Sequence, residues 1–538
     1  MYARCRAALQ RASVSRRFTR RLPILTGLIL GLLVWTAVSL RQDSPLFPLS
    51  VFGAPKPPPP EPPPERPRLP GMDRPSWEPG MCNVPEIEFL RRPSLELTSN
   101  IVYSRRCIKP SRSKSSREAV ANITEPLVTT KTKVDLADCS AVELPPCETI
   151  TLQVPAPYPE KQYRHLMFGV ASTYERLFNS LPEFAHWASG TGAQLVITVA
   201  DARNNVPEGT TRDLTPLEEE YKRYGVSATF LPPSIPYRLG EKDQEGNPVR
   251  APVEQHHFML VRELYERMIP GVTRWLGVLD DDTFFPSLHL LDEELVRHDH
   301  TRPVWLGALS DDFHAVKSWG FMGYGGAGVF LSLPLAEVIS RNSEKCLLEA
   351  TTFTGDGILR DCVYSQSRAG LTLVPGLYQH DIRGDPSGFF ESGVLPISLH
   401  HWKSWYRAPV AAMSRVATQV CGDCLLQRWR FGNDTLLANG YSITVYSNDL
   451  LSTLDLDRVE GTWEHPTRDY DFMYGTLRTK LERSDKKSYR LRDSALDRDP
   501  ATSAKVFRQV YVYRADEFAH EQEIPSAVDE VIELIWEV

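Results

Sequence analysis

Three consecutive carboxylates, Asp280, Asp281 and Asp282, follow an apolar run, Trp275-Leu276-Gly277-Val278-Leu279, and precede Thr283-Phe284-Phe285. Adjacent carboxylates repel one another, and burying them without a cation is costly. A hard divalent ion with oxygen ligands removes that cost and can hold a diphosphate at the same time. The competing reading is a solvated acidic turn capping a helix at Pro286. An apolar strand before the triplet and two phenylalanines after it argue for the buried, metal-holding alternative.

The elements around the triplet are legible as alternating short apolar runs and helices. Segments 165–172, 194–200, 226–232 and 274–280 read as strands, and Tyr174 to Trp187, Leu217 to Arg223 and Glu254 to Met268 as helices. This alternation predicts an α/β fold with a sheet of parallel strands. Such sheets bind ligands at the carboxyl ends of their strands, where Asp201 and Asp280 both stand. The doublet His256-His257 reads as helix packing. Beyond about Pro409 the strands 441–447 and 507–515 suggest a strand-rich accessory region over 411–538.

The first 21 residues carry seven arginines and no acid, and Leu22 to Leu40 is free of charge. At about 1.5 Å per residue such a run just spans a hydrocarbon layer of about 30 Å. The arginine asymmetry keeps 1–21 cytosolic and places the rest across the membrane. A cleaved signal peptide ending near Ala37-Val38-Ser39 is the alternative, but its apolar core would be shorter. Ten prolines fall between Pro55 and Pro70, so 41–160 reads as a Pro-rich, cysteine-containing stem, extended over the proline run and disulfide-clamped over 80–150, where four cysteines and short apolar patches lie. Eight of the nine cysteines lie beyond the span, as do the sequons at Asn122 and Asn433, which fits an oxidising lumen. Cys421 and Cys424 have zinc or redox spacing without a second pair, so a local disulfide is expected. A net charge of −7 gives no basic excess for nucleic acid.

The stretch Trp275 to Pro286, WLGVLDDDTFFP, resembles the metal motif of Fringe-like transferases of glycosyltransferase family 31, closest to the fungal and plant branch. Further stretches fall in that family's order. HLMFGVAST resembles its first nucleotide-binding strand, with Ser172 and Thr173, and VITVADAR its second, with Asp201 and Arg203. Tyr324-Gly325-Gly326-Ala327-Gly328 matches its turn beside the donor sugar. Gly355-Asp356-Gly357, followed by Asp361-Cys362, resembles the segment carrying the catalytic aspartate, and Ser398-Leu399-His400-His401-Trp402 the one carrying a late metal-ligand histidine. Cys346 is a possible partner for Cys362.

The resemblance covers roughly residues 160–410 and implies a GT-A (Rossmann-like) domain over 161–410. It further implies a UDP-sugar donor, Mn2+ or another divalent ion, and inverting transfer to a glycan or glycoprotein acceptor, usually β1,3. The chain would be a single-pass type II protein of the Golgi membrane, held by its one N-terminal helix. Asp280 and Asp282 would hold the metal, Asp280 and Asp281 the donor, and Asp356 would be the base, with Asp361, Asp312 and Glu391 in reserve. Adjacent histidines on a strand point opposite ways, so at most one of His400 and His401 should reach the metal. His400 matches the family's first histidine. The small residues of Gly325-Gly326-Ala327-Gly328 would let the backbone approach a sugar. A catalytically silent relative that binds glycan or nucleotide-sugar is the alternative. A two-metal phosphohydrolase is disfavoured, since no further His/Asp cluster precedes the triplet.

Overall fold

The computed structural model describes residues 82, 84–113, 117–140, 142–204, 210–500, 502–514 and 528–538. The expected membrane span at 22–40 and the proline run lie outside them. Among the described residues no helix is long and apolar enough to cross a membrane.

Two sheets share the core. The first has seven strands in the order Leu371–Leu373, Trp305–Gly307, Val329–Ser332, Trp275–Leu279, Leu166–Ser172, Gln194–Val199 and Ala228–Leu231. Trp275–Leu279 is buried along its whole length, which explains its uninterrupted apolar sequence. Gly277 is required there, because a Cβ would lie 2.7 Å from the Phe168 ring. The sheet is mixed where parallel strands were expected. Val329–Ser332 runs antiparallel to both Trp275–Leu279 and Trp305–Gly307, because the Gly325–Gly328 turn reverses the chain just before it.

The second sheet has ten strands and departs from the expected division into stem and accessory region. Asn100–Arg112, Ala121–Ile123, Thr132–Asp135 and Thr149–Val154, expected as stem, join six strands between Arg428 and Glu537. Asn100–Arg112 pairs in parallel with Asp529–Glu537. One buried apolar cluster runs from Phe168 and Phe285 through Phe390 to Trp429 and Trp536, so the two sheets pack as one body. Four disulfides, Cys82–Cys139, Cys107–Cys147, Cys346–Cys362 and Cys421–Cys424, account for the eight cysteines beyond residue 40. Asn122 and Asn433 are both exposed.

Candidate active site

Asp280 follows directly on the buried strand Trp275–Leu279, at its carboxyl end, and the three aspartates divide the work. The Asp281 carboxylate is occupied by protein: Ser172 Oγ donates to it, and Arg176 grips it with two guanidinium nitrogens, Nε at 2.6 Å. Asp280 and Asp282 turn instead toward histidines. His400 Nε2 lies 3.0 Å from Asp282 Oδ1 and 3.4 Å from Asp280 Oδ2. His257 Nε2 lies 3.3 Å from the other Asp280 oxygen. Burial alone would raise both carboxyls, but the facing histidines hold each well below the usual carboxylate range.

His400 reaches this position because its segment clamps the acidic loop. Phe284 and Leu399 exchange two backbone hydrogen bonds of 2.8 Å. Trp402 Nε1 donates to the Asp282 carbonyl at 2.7 Å, and Lys403 to the Asp281 carbonyl at 3.3 Å. The other ring nitrogen of His400, Nδ1, sits 3.0 Å from the Gln379 carbonyl. A carbonyl only accepts, so Nδ1 carries the proton and Nε2 faces two carboxylates. Without a cation that arrangement needs an imidazolium, and burial opposes the charge while Asp282 and Asp280 draw the imidazole well above its ordinary value. Asp280, Asp282 and His400 would hold a divalent ion in place of that proton, with the Gln379 carbonyl orienting the imidazole as backbone carbonyls commonly orient metal-binding histidines. The donor set fits manganese or a similar ion.

The expected alternation of His400 and His401 does not occur. His401 has φ +60°, which ends the extended path and puts its ring 3.7 Å from that of His400. Although Asp282, His400 and His401 lie close enough to hold one ion, His401 Nε2 is 3.1 Å from Asp381 Oδ1 and its ring stacks on Trp405 at 4.1 Å. His400 is therefore the better metal donor, and His401 buttresses it.

Asp356 opens the helix Gly355–Gln366, whose cap is Thr354 Oγ1 accepting from the Gly357 N–H at 3.2 Å. The Cys346–Cys362 disulfide ties this helix to the one before it. Asp356 Oδ1 is buried without a hydrogen-bond partner, yet 21% of the side chain remains accessible. Burial, with Asp280 adding to it, pushes the carboxyl up to about 6 against the opposing pull of His257. A carboxylate with one oxygen free of hydrogen bonds and such a pKa suits a general base.

The Gly325–Gly328 turn lies between these groups, and its glycines make room for protein. A Cβ at Gly325 would meet Asp356 Oδ1 at 2.6 Å, and one at Gly326 would meet the His400 ring at 2.2 Å. The sequence rationale of room for a sugar is thus replaced, at these two positions, by room for the side chains of Asp356 and His400. The turn is pinned by Thr283 Oγ1 on the Gly326 carbonyl at 3.0 Å and by Ser398 Oγ on the Ala327 carbonyl at 2.6 Å. Gly328 has φ +93°, which only glycine adopts freely.

The remaining expected residues are placed as follows. Ser172 touches Asp281, and Thr173 precedes the helix Tyr174–Ala188. Asp201 accepts the Tyr174 N–H at 2.8 Å, which fixes the neighbouring strand end, and Arg203 offers its carbonyl to Arg250 at 3.3 Å. The reserve bases are engaged elsewhere: Asp361 by Thr351 and Arg360, Asp312 as a helix cap, and Glu391 by Ser442, Thr444 and Arg490. Sequence reasoning missed His257, Arg176 and Lys403, and gave Trp402 only as a motif position without its bond to the Asp282 carbonyl. The His256-His257 doublet was the one visible cue, and reading it as helix packing holds for His256 alone.

Residues 315–499 match a family described as "Protein of unknown function, DUF604". No curated protein resembles the chain closely enough to count as a relative. Among solved structures, mouse xyloside xylosyltransferase 1 in its apo form is similar over 39% of this chain and 85% of its own, at 10% identity and a TM-score of 0.26. The galactosyltransferase LgtC, solved with donor and acceptor sugar analogues, is similar over 45% of this chain and 87% of its own, at 11% identity and a TM-score of 0.29. The 4-diphosphocytidyl-2C-methyl-D-erythritol synthase of Anaerococcus prevotii DSM 20548 is similar over 39% of this chain and 89% of its own, at 10% identity and a TM-score of 0.21.

Proposed function

We propose that this chain is a metal-dependent, inverting glycosyltransferase that moves a hexose or N-acetylhexosamine from a UDP-sugar to a glycan or glycoprotein hydroxyl, with β1,3 as the expected linkage. One observation carries the reading: Asp280, Asp282 and His400 converge as three potential metal donors across a glycine turn from Asp356, whose raised carboxyl keeps Oδ1 free of hydrogen bonds. A divalent ion held by Asp280, Asp282 and His400 would supply Lewis-acid stabilisation to the departing diphosphate. Arg176, Ser172 and Lys403 keep the Asp281 loop in place. Asp356 accepts the acceptor's hydroxyl proton while that oxygen bonds to the anomeric carbon and the bond to UDP breaks. Separate stations for the leaving group and the base are what inversion in one step requires. Membrane attachment through residues 22–40 and a luminal, Golgi-type location belong to the same proposal, supported by the arginine asymmetry and the two exposed sequons.

The test is UDP release from UDP-galactose, UDP-N-acetylglucosamine and UDP-glucose, with and without manganese, across an acceptor glycan panel. Manganese-dependent release that an acceptor accelerates is expected. Manganese-dependent UDP-sugar binding without turnover on any acceptor would favour a silent, glycan-binding relative.

A further inference from the structure

The helix Val253–Arg267 brings His257 to the centre of the site, one ring nitrogen for each of two carboxylates of different function. Nε2 is 3.3 Å from Asp280 Oδ1 and Nδ1 is 3.9 Å from Asp356 Oδ1. We infer that His257 is a positioning residue that sets Asp356 against Asp280, fixing the distance between the base and the metal-binding end of the site. The inference rests on the function proposed above.

A slot has been made for this ring. A Cβ at Gly355 would lie 2.6 Å from His257 Nδ1, and one at Gly325 would lie 2.9 Å from Cε1. These glycines come from separate segments, one in the turn before Val329–Ser332 and one opening the helix of Asp356. Neither has a positive φ, so neither is needed for its backbone conformation. What they provide is space for an imidazole, shared at Gly325 with Asp356 Oδ1, 2.6 Å from such a Cβ, and at Gly355 with the Glu254 carbonyl at 2.9 Å. Any larger residue at either position would push His257 off one carboxylate or the other.

The mount is rigid. Leu260 and Leu264, one and two turns further along the same helix, fill the space above Gly169, where a Cβ would meet them at 3.1 Å and 2.9 Å. Gly169 belongs to Leu166–Ser172, the strand paired with Trp275–Leu279, and that strand leads into Asp280. The helix carrying His257 and the strand carrying Asp280 are thus seated on the same sheet. Asp356 is mounted on a different helix, and His257 is a group that faces both carboxylates, at ion-pair distance from each. His256 shows what a packing histidine looks like here. It is buried against the Ala251 backbone, meets no carboxylate, and burial depresses it to about 4.

The variants follow from the ring geometry. His257→Gln can present its amide where Nε2 stands and keep the Asp280 contact, while His257→Asn can present it where Nδ1 stands and keep the Asp356 contact. His257→Ala leaves an imidazole-sized gap between Gly325 and Gly355. A displacement of about 1 Å in a reacting group costs on the order of 10²-fold in rate. His257→Ala should therefore lose about 10²-fold in transfer kcat at saturating manganese and donor, with a thermal midpoint close to wild type, while His257→Gln, which keeps the Asp280 contact, should hold manganese-dependent UDP affinity close to wild type. Added imidazole should restore part of the rate. His257→Gln and His257→Asn should fall between wild type and alanine.

Two results overturn the inference. One is a folded His257→Ala enzyme within about twofold of wild-type kcat. The other is a set of three variants that lose activity only in step with folded fraction, with no response to imidazole. Failure of the parent reading looks different: wild-type protein itself would bind no UDP with manganese, and the inference would fall with it.

Discussion

Gly326 offers the sharpest steric perturbation of the metal site. Its φ is not positive, so alanine is allowed by the backbone, and the effect of Gly326→Ala is confined to what the new methyl strikes. That methyl would lie 2.2 Å from both Cε1 and Nδ1 of His400. Ordinary carbon contacts need about 3.5 Å, so the ring must retreat by roughly 1 Å. Such a retreat strains the 3.0 Å Nδ1 contact to the Gln379 carbonyl and moves Nε2 away from Asp282, now 3.0 Å distant. Overpacking a tight site costs about 1–3 kcal/mol. Disturbing an orienting outer-shell contact weakens metal affinity by about 10–100-fold. Calorimetric titration of manganese in the presence of UDP measures the second effect, and thermal denaturation the first. Gly370→Ala, where nothing lies within 4 Å, is the control and should change neither. Gly326→Ala protein that binds manganese with wild-type affinity would refute the role given to His400.

Asp356→Asn should bind UDP and manganese as wild type does yet lose about 10²–10⁴-fold in transfer, the usual contribution of a positioned base; wild-type transfer rates in that variant would remove Asp356 from the chemistry. Burial, with the Asp280 charge adding to it, pushes the Asp356 carboxyl up to about 6 in the metal-free protein, and a cation on Asp280 would lower it, so transfer should rise with pH to a plateau reached at or below that value. The same shift has a stability sign. Folding favours the neutral acid, so its stabilising contribution is complete below about pH 4 and lost as pH rises to about 6. The metal-free Asp356→Asn protein should accordingly melt higher than wild type at pH 7.5 and level with it at pH 4, and a lower midpoint at pH 7.5 would count against the assignment. Asp281→Asn should lower the thermal midpoint, because Arg176 and Ser172 lose a buried charged partner, while manganese affinity stays close to wild type; loss of manganese binding would show Asp281 to be a ligand.

The acidic loop was legible because everything needed to place it is contiguous: an apolar strand, three carboxylates, then two core phenylalanines. The GGAG turn and Asp356 were legible as positions, but not the reason for the glycines, which lies in side chains arriving from elsewhere. His257 reaches Asp280 from a helix that precedes it by a full element, and no spacing rule connects a helical histidine to the end of the next strand. The rule of strand alternation failed at His400 and His401 because it assumes extended backbone, and a single left-handed residue breaks it. The stem was misjudged for a related reason. Asn100–Arg112 pairs with Asp529–Glu537 across more than four hundred residues, and a strand whose partner is so distant carries no local sign of being paired.

The central claim is that Asp280, Asp282 and His400 together hold a divalent ion. Electron paramagnetic resonance of free manganese, titrated against the purified full-length chain with and without UDP, tests it most directly. The account predicts one manganese bound per chain in wild type, tightened by UDP, and abolished in Asp282→Asn protein that remains folded by circular dichroism. Undiminished manganese binding in Asp282→Asn, or none in wild type at any UDP concentration, would contradict it.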